Sequence, residues 1–541
     1  MNNGIKRSMV VNQIGYPVLD VKTLIITGSD PKFSIVNEMT EEVVFTGEGD
    51  GPIQDQASGK TVYLGDFTEL QTPGRYYAAA DGNERSASFI IEDRPYEELQ
   101  QGLLKAFYYL RCGTELTEEF AGPWAHAACH TQDGIIHGRE HVKLDASGGW
   151  HDAGDYGKYV VPGAKAVVDL LLAYELYPEA FRSQVPLPES NDTMPDVLHE
   201  CKVELNWLLK MQDQDSGGSY HKLTTRHFPG LDVMPENDLG DLVFSPISAT
   251  ATASHTAVMA LAARIYHSYD KGFAEACLRS SLQGFRWLEK HPHTPGFKNP
   301  PDISTGEYGD ETDTDERYWA AAELYRTTGD VKYHQVFQQL AKEDFSKTEL
   351  GWADLGGYGT FSYLLGGAKQ GDPELYASLK QNVLSEAISY IQTAESDGYQ
   401  VAMKEDDYIW GSNMVLLNRG MFLLLAHEIQ PDARYVHTAA SHLHYLLGRN
   451  VLDLSYVTGY GDRSVLHPHH RPSVGDSIEE PVPGMVAGGP NKNLNDDCMK
   501  EHLTGQPAAA CFIDHEDSYA GNEVTIYWNS PAVFVTAFWN R

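Results

Sequence analysis

Residues 87–110 read ASFIIEDRPYEELQQGLLKAFYYL, and this stretch divides the chain. ASFIIED closes a series of short predicted strands. Pro95 then opens a helix over YEELQQGLLKAFYYL, and helical periodicity dominates from there to the C-terminus. Upstream, Lys22–Ile26 (KTLII), Lys32–Val36 (KFSIV), Thr61–Leu64 (TVYL) and GRYYAAA read as strands. Clusters of Asp, Gly and Pro such as GEGDGP separate them, as in an all-β sandwich of about 90–100 residues. Downstream, about twelve long helices are expected. They include Gly163–Leu176, Met194–Met211, Ala249–Tyr269, Phe273–Lys290, Thr314–Thr328, Pro373–Ala394, Asn413–His427 and Ala433–Leu447. Ala-rich faces such as SHTAVMALAARIY predict close helix packing through small residues. So many helices exceed a simple bundle, whereas a double-layered α/α barrel, with inner helices lining a cleft and long loops at one mouth, accommodates them. The expected organisation is multidomain: an all-β sandwich over residues 1–93, then an all-α barrel over 94–541.

The composition fits a globular protein. Hydrophobic residues make up 42% of the 541 and charged residues 22%, which excludes a disordered or collagen-like chain. Acidic residues outnumber basic ones 76 to 41, for a net charge of -35. Such a surface repels phosphate backbones and anionic lipid, so no nucleic acid and no membrane partner is expected. A neutral substrate is compatible with it. No apolar run reaches the ~18–20 residues that cross a bilayer. The N-terminal MNNGIKRSMVVNQIGYP lacks the apolar core of a signal peptide. The expected location is cytoplasmic as written, or secreted if the sequence is a trimmed mature form. A monomer is expected. Six cysteines are too sparse for a disulfide scaffold.

Chemistry-bearing residues concentrate in long loops at 112–160, 295–315, 455–500 and 505–523, where function tends to reside. In GGWHDAGDY (148–156), Asp152 and Asp155 flank Ala153-Gly154, small residues that let a turn bring both carboxylates toward one point. Two such groups raise the pKa of one member and share a proton or a water. The competing reading is a helix N-terminus capped by Asp. In YAGNEVTIYWNSP (519–531), Glu523 opens an apolar, aromatic segment, and desolvation there favours a general acid at neutral pH. The alternative is a first-turn Glu stabilised by the helix dipole. In YVTGYGDRSVLHPHHRP (456–472), His467, His469, His470 and Arg471 cluster on a loop stiffened by Pro468 and Pro472. They could bind hydroxyls or a metal.

These three segments resemble the signature blocks of glycoside hydrolase family 9, the inverting cellulase family. The resemblance covers essentially the whole chain. MVVNQIGYP is similar to the immunoglobulin-like domain that precedes the barrel in one subgroup. GGWHDAGDYGKYVV, TDERYWAAAELYRTTGD, YIWGSN, YVTGYGDRSVLHPHHR and NEVTIYWNSP follow in the family's order. The resemblance implies an (α/α)6 barrel. It also implies that Asp155 is the general base, that Asp152 orients the attacking water and that Glu523 is the general acid. Inversion requires acid and base ~6.5–9.5 Å apart, against ~5–5.5 Å for retention. His469 and Arg471 match positions that contact sugar hydroxyls, and His467 is a further candidate. Aromatic platforms for pyranose faces are sought among Trp124, Trp352, Trp410, Tyr460 and Trp528, with Trp410 and Trp352 favoured.

Cys112, Cys129, His130 and His151 form a Cys2His2 set without the short finger spacings, so the residues alone more readily describe two unrelated thiols and two histidines. RCGTEL and AHAACH resemble the zinc-binding segments of the same subgroup, which implies a structural Zn²⁺ with no open position. EYGDETDTDE (307–316) is dense in hard oxygen ligands suited to Ca²⁺, or is a solvated acidic loop ahead of a helix. The family's habit of binding calcium there implies a site using Asp310, Asp313 and Asp315. The leading expectation is an endo-acting β-1,4-glucanase on cellulose-like polymers or cellodextrins. An exo-acting glucosidase, cellobiohydrolase or glucosaminidase of the same family is the first alternative. A non-catalytic carbohydrate binder is the second, disfavoured by retention of Asp152, Asp155 and Glu523.

Overall fold

The computed structural model describes residues 7–80, 84–367 and 371–541. They fall into two compact units, Met1–Ala106 with Ala387–Arg541, and Phe107–Glu386.

The first unit opens with nine strands: β1 (Met9–Val10), β2 (Gly15–Pro17), β3 (Thr23–Thr27), β4 (Lys32–Asn37), β5 (Val43–Glu48), β6 (Asp50–Gln54), β7 (Thr61–Asp66), β8 (Gly74–Ala79) and β9 (Arg85–Glu92). They form one sheet in the order β1–β3–β7–β6 and a second in the order β2–β9–β8–β4–β5. Alternate residues point inward, as the pleat requires, so Leu24, Ile26, Phe33, Ile35, Phe89 and Ile91 share one core around Tyr16. GEGDGP, expected as a turn, is mostly strand: β5 and β6 run through it and only Gly49 interrupts them. A register shift between Asp50 and Ile53 absorbs the misfit against β7.

Twelve helices of ten or more residues follow among the described residues: α1 (Glu97–Tyr109), α2 (Val160–Leu176), α3 (Asp196–Met211), α4 (Ala249–Tyr266), α5 (Lys271–Lys290), α6 (Thr314–Thr328), α7 (Val331–Leu340), α8 (Gly356–Leu365), α9 (Pro373–Ser396), α10 (Ser412–Ile429), α11 (Ala433–Leu446) and α12 (Ile526–Asn540). No described helix is long and apolar enough to cross a membrane. In the first unit, α10 packs on α11 and α12. There Asn12 of the β-domain holds Tyr96 Oη at 3.1 Å and His444 Nδ1 of α11 at 3.0 Å.

In the second unit, α4 packs on α5 and α6. Small residues make this approach, as the Ala-rich pattern predicted: Gly284 of α5 lies so close to Thr256 Oγ1 of α4 that a methyl group would not fit. This unit also holds a sheet that a purely helical reading misses. Its strands are β10 (Gly134–Ile136), β11 (Arg139–Leu144), β12 (Lys158–Tyr159), β13 (Lys222–Thr224) and β14 (Val243–Phe244), in the order β11–β10–β14–β13–β12. Strands this short show no detectable period. They nevertheless place Lys158 and Lys222 beside the two loops that carry the candidate chemistry.

Candidate active site

In the second unit the motif Gly148–Tyr156 is pinned from both ends. Gly148 and Gly149 take positive φ (94° and 77°), and Gly149 lies against Trp207, where a side chain would meet the indole at 2.7 Å. The Trp150 amide donates to Glu204 Oε2 (2.7 Å) and its indole to Glu200 Oε1 (2.8 Å), both on α3. The turn then closes on Gly157: the Asp152 amide donates to its carbonyl at 2.9 Å, and Asp155 Oδ1 accepts its amide at 2.6 Å. Helix α2 begins only at Val160, with Tyr159 in the cap position, so neither aspartate is a helix cap.

The two carboxylates are held differently. Asp152 is 1% exposed, and its Oδ2 accepts the Tyr308 hydroxyl at 2.5 Å while Oδ1 is buried without a protein donor. Burial pushes Asp152 well above the usual carboxylate range; the Tyr308 hydrogen bond opposes this, and the charges of Asp155 and Glu204 add to it. Tyr308 meets Trp352 edge-on at 5.0 Å and Tyr159 at 4.7 Å, so the half-buried Trp352 adjoins the motif's own partner.

Cys112, Cys129, His130 and His151 bring one donor atom each within 4.8 Å of one another, all buried. The backbone links this cluster to the aspartate turn: Cys112 N donates to Gly149 O (2.8 Å) and His151 N to Leu110 O (2.7 Å). The Cys129 thiol, hydrogen-bonded to Cys112, holds Cys112 well below the thiol range and is itself pushed up by that bond. Burial lowers His151 to about 4, leaving a neutral imidazole. Burial also opposes the charge on His130, but the bond to Asp238 and the negative charge of Cys112 outweigh it and lift that ring to about 9. His130 Nε2 donates to Asp238 Oδ2 at 3.3 Å, and its Nδ1 is buried without a partner. Two soft thiols, two imidazoles and an orphaned ring nitrogen suit a tetrahedral Zn²⁺.

The acidic loop differs from its expected ligand set. Asp310 and Asp315 do converge, but with Glu316 rather than Asp313. Asp313 accepts from Arg317 (2.9 Å) and Thr294 (3.2 Å) instead. Position in α6 explains the change: Asp313 and Arg317 stand one turn apart and pair. Burial pushes Asp310, Asp315 and Glu316 all upward; Asp310 adds its charge at Asp315, both add theirs at Glu316, and Asp354 and Asp313 act on Asp310. A hard divalent cation would relieve that repulsion, so the three residues fit Ca²⁺.

In the first unit Glu523 stands ahead of α12, whose cap is Thr525, in extended backbone (φ -66°, ψ 161°). It is therefore not a first-turn residue. It lies between two segments, bridged to His469 on one side, with the Gly488 amide donating to its carbonyl at 2.9 Å on the other. His469 Nδ1 bonds Glu516 O at 2.5 Å, and its ring meets Tyr519 at 5.9 Å. Tyr519 in turn lies 5.4 Å from Trp410; these two rings are 39% and 42% exposed, a surface on which a flat sugar face can stack. His470 and Arg471 are buried, and His467 is exposed with its amide held by Asp514 at 2.8 Å.

The remaining aromatic candidates pack elsewhere. Tyr460 lies with its hydroxyl against Gly102 of α1, Trp528 is 2% exposed, and Trp124 rests on Tyr109. Tyr308, Tyr519 and Asp238 were not singled out from the sequence. Tyr308 sits within EYGDE, where the acidic neighbours are the stronger local signal.

Residues 96–536 match the sequence profile of Glycosyl hydrolase family 9, and residues 6–85 match the Cellulase N-terminal ig-like domain. The chain belongs to glycosyl hydrolase family 9. It is 38% identical to a cellodextrinase of Butyrivibrio fibrisolvens, over 98% of each chain. It is 35% identical to endoglucanase D of Acetivibrio thermocellus, over 97% of this chain and 82% of the relative. A solved single mutant of the thermostable endoglucanase from Alicyclobacillus acidocaldarius superposes with a TM-score of 0.94, at 43% identity, over 99% of this chain and 100% of the other. This family 9 member is therefore a glycoside hydrolase. Its fold is an N-terminal immunoglobulin-like β-domain followed by the family's (α/α)6 barrel.

Proposed function

We propose that the enzyme hydrolyses β-1,4-glucosidic bonds in cellodextrins and soluble cellulose-like chains, acting as a monomer and inverting the anomeric carbon. Asp155 is the general base: it takes a proton from water as that oxygen bonds to the anomeric carbon. Asp152 orients the same water. Glu523 donates a proton to the glycosidic oxygen as the carbon–oxygen bond breaks. The observation that carries this reading is the DAGD turn. Two buried aspartates share one tight turn, and Tyr308 donates to Asp152, so paired carboxylates are given unequal surroundings. Similarity to a cellodextrinase over the full length of both chains supports short soluble substrates. His469 and Arg471 bind sugar hydroxyls, and Trp410 with Tyr519 and Trp352 supply stacking faces.

Cys112, Cys129, His130 and His151 would hold Zn²⁺, and Asp310, Asp315 and Glu316 would hold Ca²⁺. Both ions are structural: they fix the loops around the aspartate turn. The test is incubation with cellopentaose, carboxymethyl-cellulose and chitosan oligomers, followed by product analysis. Glucan cleavage that is lost in Glu523→Gln supports the reading, and unchanged activity in that variant refutes it.

A further inference from the structure

Lys222 opens β13 and is completely buried. A lysine in such a place must have its ammonium hydrogen-bonded and its charge compensated. Its Nζ donates to Thr305 Oγ1 (2.9 Å), Thr305 O (3.3 Å) and Gly306 O (2.6 Å), all neutral acceptors. The anions whose charge reaches it are Asp155 and Glu307. Glu307 has a cation of its own, Lys298 at 3.5 Å. Burial lowers the ammonium to about 8 while both anions pull it up, so it is charged at neutral pH.

The segment it grips leads directly to the aspartate turn. Two residues past Gly306, Tyr308 takes a left-handed φ of 45°, a conformation a tyrosine adopts only when its surroundings enforce it. Its hydroxyl is the donor to Asp152. Tyr159 fills the space between: its ring lies 5.6 Å from Lys222 Nζ and 4.7 Å from the Tyr308 ring. Three further bonds secure the segment. His221 Nε2 reaches Glu307 O at 3.0 Å, Asn299 donates to Thr305 O at 2.7 Å, and Thr224 pairs with Thr305 at 2.8 Å. None of these brings a charge. His221 is neutral, lowered to about 3 by burial.

We propose that Lys222 is a positioning residue for the water-activating pair: it holds the 305–308 turn so that Tyr308 reaches Asp152, and it sets a fixed positive charge toward Asp155. This rests on the assignment of Asp152 and Asp155 above. A neutral amide could bind the same carbonyls, but only a cation offsets the negative charge of Asp155. The groups that face Lys222 are Asp155, Glu307, His221 and Tyr159, and Asp155 adds its charge at Asp152.

The test uses the full chain with Lys222→Met, Thr305→Val, Tyr308→Phe and the Lys222→Met/Tyr308→Phe double variant. On cellopentaose, Lys222→Met is expected to lose about 100-fold in kcat, with KM changed less than about three-fold. The acid limb of its kcat/KM profile should move up by about one pH unit, because a carboxylate that loses a neighbouring cation protonates more easily. An equal loss is expected on β-cellobiosyl fluoride, whose leaving group needs no proton. The double variant should be no worse than Lys222→Met. Should Lys222→Met fail to fold, Thr305→Val, which removes one acceptor, should still lower kcat roughly three- to ten-fold. Wild-type kcat and pH profile in a folded Lys222→Met or Thr305→Val overturn the proposal, as does a defect that disappears on the fluoride. Asp155→Asn separates the two ideas: if it stays active, the base assignment itself fails.

Discussion

Tyr308 donates its hydroxyl to Asp152 Oδ2 at 2.5 Å, across 156 positions of sequence. This bond distinguishes the two aspartates of the DAGD turn, because burial alone would push Asp152 still further toward its neutral form.

Removing that donor should therefore cost both activity and stability. Tyr308→Phe leaves a buried carboxylate oxygen unsatisfied, which costs about 1–3 kcal/mol. The expected outcome is a fall in kcat of roughly ten-fold or more with little change in KM, together with a lower melting temperature. Wild-type kinetics would show that Asp152 is oriented by its own turn alone.

Asp238 should govern zinc binding from outside the ligand set. Its carboxylate holds His130 Nε2 and leaves Nδ1 facing the thiols. Asp238→Asn is expected to weaken Zn²⁺ binding by about 10–100-fold, measured by competition with a chromogenic chelator. Cys112→Ser should remove the bound metal altogether. Unchanged affinity in Asp238→Asn would break the link between this carboxylate and the metal.

The acidic loop gives a test between two neighbouring carboxylates. Glu316→Gln should abolish any rise in melting temperature on adding Ca²⁺. Asp313→Asn should leave that rise intact, losing only its partly exposed pair with Arg317, worth about 0.5 kcal/mol. The reverse pattern would restore Asp313 as a ligand.

Acid should destabilise the fold through its buried histidines. Burial lowers His255 to about 3, and it sits on α4 with Nε2 against Ser280 Oγ at 2.7 Å. Its contribution is complete above the unfolded-state value of about 6.5, where neither state is protonated. Below that the unfolded chain takes the proton first, so stability falls by up to about 1.4 kcal/mol per pH unit until the folded value is reached. Glu204, raised to about 8 by burial, acts in the opposite sense, so wild type must be compared with a variant. Denaturant melts of wild type and His255→Gln from pH 7 to 4.5 should show their difference shrinking as pH falls. A constant difference would contradict this.

The sequence made the repetitive parts legible. Thr314–Thr328 was expected as a helix and is one, residue for residue, because its apolar spacing and its terminal Gly329 both mark its limits. The sandwich strands emerged for the same reason, period and turn chemistry agreeing. The β10–β14 sheet did not, since strands of two to six residues carry no period, and α8 (GGYGTFSYLL) hides behind its glycines. At the site, the motif residues could be named, but not the partners that orient them. Nothing local in the sequence says that Tyr308 reaches Asp152, or that Tyr519 joins Trp410. Acid density marked the calcium loop, yet which carboxylates converge depends on where helix α6 begins.

Proton NMR of cellopentaose hydrolysis, observed from the first turnovers, reads the anomeric configuration of each new reducing end before mutarotation scrambles it. The assignment of Asp155 as base and Glu523 as acid predicts that new reducing ends appear first as the α-anomer and reach the β-anomer only by mutarotation. Initial appearance of the β-anomer would contradict it.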